Sequence, residues 1–216
     1  SANFAAQTIQ IDLSEYDFII VRGKSITSDS ATDANFIFPA NTRMQALIAI
    51  GTSGELKYGG NNKEVIIPEG VERIGAYAFA NLTALEEVVL PSTLEAIEYG
   101  AFYNCTALKK ISFSDENNLK IINQHAFENC DLQGTIDMTG ACVISDYAFA
   151  GNKNLEGIVT SDTLLSIGEY AFANCNKLTT ITIPESVTSI GYSAIYRCNK
   201  LVTASLTEES QLTNIG

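Results

Sequence analysis

The chain has 216 residues and carries 13 Lys+Arg against 25 Asp+Glu, a net charge of −12. Hydrophobic residues make up 46% and charged residues 18%, which supports a buried core and excludes a disordered chain. So acidic a surface repels phosphate backbones and excludes nucleic acid as an expected partner, and a single His with no Trp leaves little for imidazole-built relays or metal sites. No run of about 18 apolar residues occurs, so no membrane-inserted segment is expected. The opening Ser1-Ala2-Asn3-Phe4 shows no start methionine, basic stretch or apolar stretch, as in a mature or trimmed chain.

Residues 1–53 read as a β-rich cap or small lead-in domain. Thr8-Ile-Gln-Ile-Asp-Leu13 alternates, Asp17-Phe-Ile-Ile-Val-Arg22 is an apolar run closed by Gly23, and Asn35-Phe-Ile-Phe38 precedes Pro39. Two to four strands are expected here, either capping the open end of the core formed by residues 54–216 or left over from an immunoglobulin-like domain, for which the segment is short.

From residue 54 to 216 the chain repeats itself. Ala-Phe recurs at Phe79, Phe102, Phe127, Phe149 and Phe172, with Ile195 in the same phase, at steps of 23, 25, 22, 23 and 23 residues. Five residues before each lies an Ile (74, 97, 122, 144, 167 and 190), and three before that another aliphatic or small residue, from Val71 to Val187. A unit this short cannot bury its apolar side alone, so the units must stack into a solenoid with one continuous core. Segments such as Leu178-Thr-Thr-Ile-Thr-Ile183 alternate and predict short parallel strands, stopped by Pro68, Pro91 and Pro184. Gly168-Glu-Tyr-Ala-Phe-Ala-Asn174 is too short for a full helix and reads as one helical turn. Asn81, Asn104, Asn129, Gly151 and Asn174 suit a left-handed residue ending that turn, and Arg197 in the same slot should be strained or differently wound. The fold class predicted is thus a repeat solenoid, β-rich with short helical turns and about six and a half units.

The stretches Ile67-Pro-Glu-Gly-Val-Glu-Arg-Ile-Gly-Ala-Tyr-Ala-Phe79 and Ile183-Pro-Glu-Ser-Val-Thr-Ser-Ile-Gly-Tyr-Ser-Ala-Ile195 resemble the BspA-like leucine-rich repeats over roughly residues 54–216. That resemblance implies a curved solenoid from a bacterial surface protein, secreted or at the cell surface, used for adhesion and protein contact and not for chemistry. Leu82 and Asn152 depart from the repeat in its cysteine slot.

Candidate chemistry is sparse. Cys105, Cys130, Cys175 and Cys198 share one phase and predict an inward row of free thiols, because parallel side chains on neighbouring coils neither converge for a disulfide nor close a tetrahedron around zinc. No cofactor or metal is expected. The loops 114–118 and 207–211 are acidic but lack calcium-loop spacing. Asn81 and Asn104 head glycosylation triplets yet occupy tight-turn slots. His125 stands where other units place Tyr77, Tyr147 and Tyr170, on the outside, without a hydroxyl or thiol to activate. This row is either a binding stripe or a stack of rings that serves only packing. A second candidate surface is the outward strand face, Ser112, Asp137, Val159, Thr182 and Ser205, together with Val89. The expected function is a non-catalytic adhesion module for a protein ligand such as host extracellular matrix or another surface protein. A structural spacer, a glycan-binding module and end-to-end self-association through the incomplete seventh unit are the alternatives.

Overall fold

A computed structural model describes residues 18–23, 46–51, 63–67, 71–113, 118–206 and 210–216. The expected strands at Thr8–Leu13 and Asn35–Phe38, Pro68 and most of both acidic loops lie outside these residues. In chain order the strands are β1 (Phe18–Gly23), β2 (Ala46–Gly51), β3 (Glu64–Ile66), β4 (Arg73–Ile74), β5 (Glu87–Leu90), β6 (Ala96–Ile97), β7 (Lys110–Phe113) and β8 (Ile121–Ile122). They continue as β9 (Gly134–Asp137), β10 (Val143–Ile144), β11 (Leu155–Val159), β12 (Ser166–Ile167), β13 (Thr180–Ile183), β14 (Ser189–Ile190), β15 (Thr203–Leu206) and β16 (Asn214–Ile215).

Every pairing is parallel, as a coil-on-coil stack requires. The longest sheet has nine strands in the order β1-β2-β4-β6-β8-β10-β12-β14-β16. Its repeat strands are two residues long, and it holds the phase-locked isoleucines in register, Ile74 on Ile97, Ile97 on Ile122, and so on to Ile190 on Ile215. Sequence periodicity predicted the alternating strands but not this second line of pairing, because two residues are too few to show alternation. The alternating strands form three shorter sheets, β3-β5-β7, β9-β11 and β13-β15, on another side of the coil.

The core lies between these sheets and the aromatic turn. Phe79, Phe102, Phe127, Phe149 and Phe172 are buried and stack ring on ring at 5.1–5.5 Å with interplanar angles of 1–9°. The turn itself is not helical, and no helix occurs among the described residues. It is a chain of β-turns: Ala78 N–H donates to Gly75 O (3.1 Å) and Ala80 N–H to Tyr77 O (3.2 Å), and the pattern recurs around Tyr147 and Ser193. Two residues per coil have positive φ, which breaks any helical run. One is the expected Asn slot, where Arg197 (φ 57°) keeps the same winding as Asn174 (61°), so the backbone strain is accepted there, not relieved. The other, unexpected from sequence, is the Tyr slot: Tyr77, Gly100, His125, Tyr147, Tyr170 and Ser193, at φ 52–59°. That conformation is costly for a bulky residue. Coil-to-coil bonds offset the cost, with each core Phe N–H donating 2.8 Å to the next coil's Ala carbonyl, as Phe79 does to Ala101.

One coil departs from the pattern. Between Cys130 and Leu132 it is a residue short, so the Leu132 N–H lacks the intracoil carbonyl that Leu108 and Leu178 use. Asn152, fully buried on the next coil, supplies the missing acceptor through Oδ1 at 3.2 Å. Its Nδ2 donates to the Phe127 and Phe149 carbonyls, both at 2.8 Å. A buried amide is tolerated there because every polar atom is bonded.

Candidate binding surfaces

The cysteine slot faces inward. Cys105, Cys130 and Cys175 are buried, Cys198 is half-buried, and all are free thiols. Each Sγ–H donates to the core Phe carbonyl of the preceding coil, at 3.0, 3.2, 3.3 and 3.2 Å in chain order. They therefore bond as well as fill space. Burial pushes the thiols of Cys130, Cys175 and Cys198 above their usual range, which keeps them protonated and poor nucleophiles.

On the outside, Tyr77, His125, Tyr147 and Tyr170 belong to one aromatic ladder. His125–Tyr147 and Tyr147–Tyr170 stack at 5.0 Å with planes 10° and 14° apart. Two further rings extend it, Tyr99 against Tyr77 (5.3 Å) and His125 (5.1 Å), and Tyr192 against Tyr170 (5.7 Å), where Tyr196 also stands edge-on at 6.3 Å. Sequence reading missed both because they sit one residue early, in the two units whose slot holds Gly100 or Ser193; a Tyr directly upstream of a missing ring was the available signal. At the centre of the ladder both ring faces are taken by neighbours, leaving edges for solvent. Sugar rings stack on aromatic faces, so the central rings offer no such platform. Tyr77 (49% exposed) and Tyr192 (58%) at the ends are tilted and more open. Desolvation, then the Tyr99 hydroxyl, raises the Tyr77 phenol above its ordinary value. Desolvation, followed by Tyr170 and the carboxylates of Glu169, Glu128 and Asp146, does the same to Tyr147. His125 Nδ1 lies 2.5 Å from Glu128 Oε2, which orients the ring.

The outward strand face places Asp137, Val159, Thr182 and Ser205 in solvent, with Val89 and Ser112 half-buried. Asp137 Oδ1 accepts its local Thr139 N–H at 3.0 Å, and Ser112 Oγ lies 3.3 Å from Glu87. These residues share a face but not one sheet, since it breaks between β7 and β9 and between β11 and β13.

A third surface was not legible beforehand. Where β10, β12, β14 and β16 give way to the aromatic turn, an open trough of about 290 Å³ runs across the coils. Ser145, Gly168 and Gly191 line it, with Ser166 and Ser189 on one side and Asp146 and Glu169 on the other. Close stacking demands the glycine at 168, because a Cβ there would sit 2.4 Å from the Asp146 backbone nitrogen. In the β6 and β8 coils the Gly168 column holds larger groups, Glu98 and Asn123: Arg73 pairs with Glu98, which also accepts from Asn123 Nδ2 at 2.7 Å. Among the described residues no group of three His, Cys, Asp or Glu could hold a metal ion, and no helix is long and apolar enough to cross a membrane.

Known proteins share this architecture. The family described as BspA type Leucine rich repeat region matches in 6 copies over residues 55–144 and 142–216. A leucine-rich repeat protein from Bacteroides ovatus superposes with a TM-score of 0.62 at 31% identity, covering 71% of this chain and 39% of that one. A protein from Faecalibacterium prausnitzii, described as a leucine rich cell surface protein, gives 0.49 at 28% identity, covering 70% of this chain and 48% of that one. The chain thus spans well under two thirds of either structure. No curated protein matches it.

Proposed function

The chain belongs to the BspA-type leucine-rich repeat family, and from that premise we propose that it is a non-catalytic binding module of a secreted or surface-displayed bacterial protein, taking a protein ligand. The observation that carries the reading is the trough over β10, β12, β14 and β16, a concavity spanning several coils with a small, hydroxyl-bearing side facing an acidic one. Proteins dock on preformed concave surfaces with little reorganisation, and a solenoid backbone bonded coil to coil supplies that rigidity. The interior is filled by packed rings and protonated thiols, which leaves the exterior as the working part.

The test is binding of the chain to immobilised extracellular-matrix and surface proteins. Ser166→Arg with Ser189→Arg fills the trough from outward positions and is expected to weaken a bound ligand about tenfold or more. Thr182→Arg on the strand face should leave it unchanged. Loss through Thr182→Arg alone would move the site to the strand face, and binding indifferent to every one of these changes would refute the proposal.

A further inference from the structure

Among the described residues, the cations of this acidic chain fall into two sets. Toward the N-terminal coils, Lys63 and Lys109 pair with Glu86, Lys110 with Glu87, Lys120 with Glu95 and Arg73 with Glu98. Further along, Lys153, Lys177, Arg197 and Lys200 are all exposed. Among the described residues no carboxylate lies within ion-pair distance of any of them. Arg197 instead lies over the Tyr196 ring, its Cζ 5.1 Å from the centroid.

These four share one corner of the solenoid, where the aromatic turn leads into the alternating strand. Lys177 N–H donates to Lys153 O at 3.2 Å, so the two stand on adjoining coils in backbone contact. Thr180 pairs in register with Thr203, which sets Lys177 and Lys200, each three residues upstream, at equivalent places on successive coils. Arg197 joins them at the left-handed slot of the last coil. The coil spacing of about 4.8 Å brings these positions together as a cluster of positive charge on a rigid backbone, with Lys153 one slot earlier in its coil than Lys177 and Lys200.

The geometry points to this ridge as a binding site for a linear anionic polysaccharide, whose carboxylate or sulfate groups recur along a polar chain. Protein interfaces are poor in Lys and built on buried apolar or aromatic anchors. Here an amide directly precedes each of Lys177 and Lys200, Asn176 and Asn199, suited to hydroxyls. The ridge lies after the aromatic turn whereas the trough precedes it, so this inference does not rest on the protein-binding role.

The experiment measures affinity of the full chain for immobilised heparin (sulfated) and alginate (carboxylated) across a salt series, with neutral dextran as blank. Binding to one or both is expected. Replacing Lys153, Lys177 and Lys200 together by Gln should lower affinity about tenfold or more at low salt and flatten its salt dependence, and replacement by Arg should preserve both. Removing the same charge from paired cations, as Lys63, Lys109 and Lys120 to Gln, should cost less than about threefold. Equal losses from the two triple variants overturn the proposal. So does absence of binding to both glycans, or tighter binding to a poly-glutamate peptide or a single-stranded oligonucleotide.

Discussion

Two aromatic ladders climb the same solenoid two or three residues apart in the coil, and they obey different rules. The inner one, Phe79 to Phe172, is buried, nearly coplanar and has a ring in the same slot every time. The outer one, Tyr77 to Tyr192, varies in tilt from 10° to 72°, includes a histidine, and shifts register where the slot holds Gly100 or Ser193. A close-packed interior leaves one position for a large ring, because a missing one opens a cavity. Solvent fills any gap outside, so the outer ladder needs only that some ring reach its neighbour. The inner row makes the fold, and the outer row decorates it.

That contrast can be broken by mutation. Phe127→Ala removes an inner ring from between two others and is expected to cost about 3–5 kcal/mol in denaturant unfolding, enough to uncouple the coils on either side. Asn152→Cys restores the usual residue of its slot and yet should destabilise by about 1–3 kcal/mol, because the Leu132 N–H loses its acceptor. A neutral result would mean the short coil satisfies that donor otherwise.

Rising pH separates the buried thiols from the outer row without mutation. Burial raises the Cys175 thiol above its unfolded value of about 8.5, so its contribution is complete below that pH and is lost as pH climbs toward the folded value. The limiting slope is about 1.4 kcal/mol per pH unit for each such thiol. Tyr77 and Tyr147 are raised as well, but their loss begins only above about pH 10. Thermal melts between about pH 8.5 and 10 should therefore fall for the native chain and fall less steeply for Cys175→Ala. Last, Tyr147→Ala takes a ring from the outer row and should cost only about 0.5–1.5 kcal/mol in the same unfolding assay. A cost equal to that of Phe127→Ala would erase the distinction between the two rows.

Much of this was readable from the residues. The Phe, Ile and Leu phases, the inward cysteines and the left-handed asparagines were legible because each recurs at a fixed place, and repetition turns a weak local preference into a strong one. In the first 53 residues, the apolar run closed by Gly23 emerges as β1 of the nine-stranded sheet, whereas sequence reading missed its neighbour β2 at Ala46–Gly51. The turn was misread as helical because Gly-Glu-Tyr-Ala-Phe-Ala is made largely of residues compatible with a helix, and nothing local marks Tyr170 as left-handed. The trough was invisible because it arises from the sizes of Ser145, Gly168 and Gly191 relative to Glu98 and Asn123, residues one or more coils apart.

Periodicity alone was enough to establish a stacked solenoid and which residues point inward, since burying a short unit's apolar side has one repetitive solution. Contacts between coils decided the rest: the winding of the tyrosines, the rescue of Leu132 by Asn152, the closed faces of the outer rings and the split between paired and unpaired cations. All of these depend on residues about 20–25 positions apart brought to a few ångströms, and no local preference carries that information.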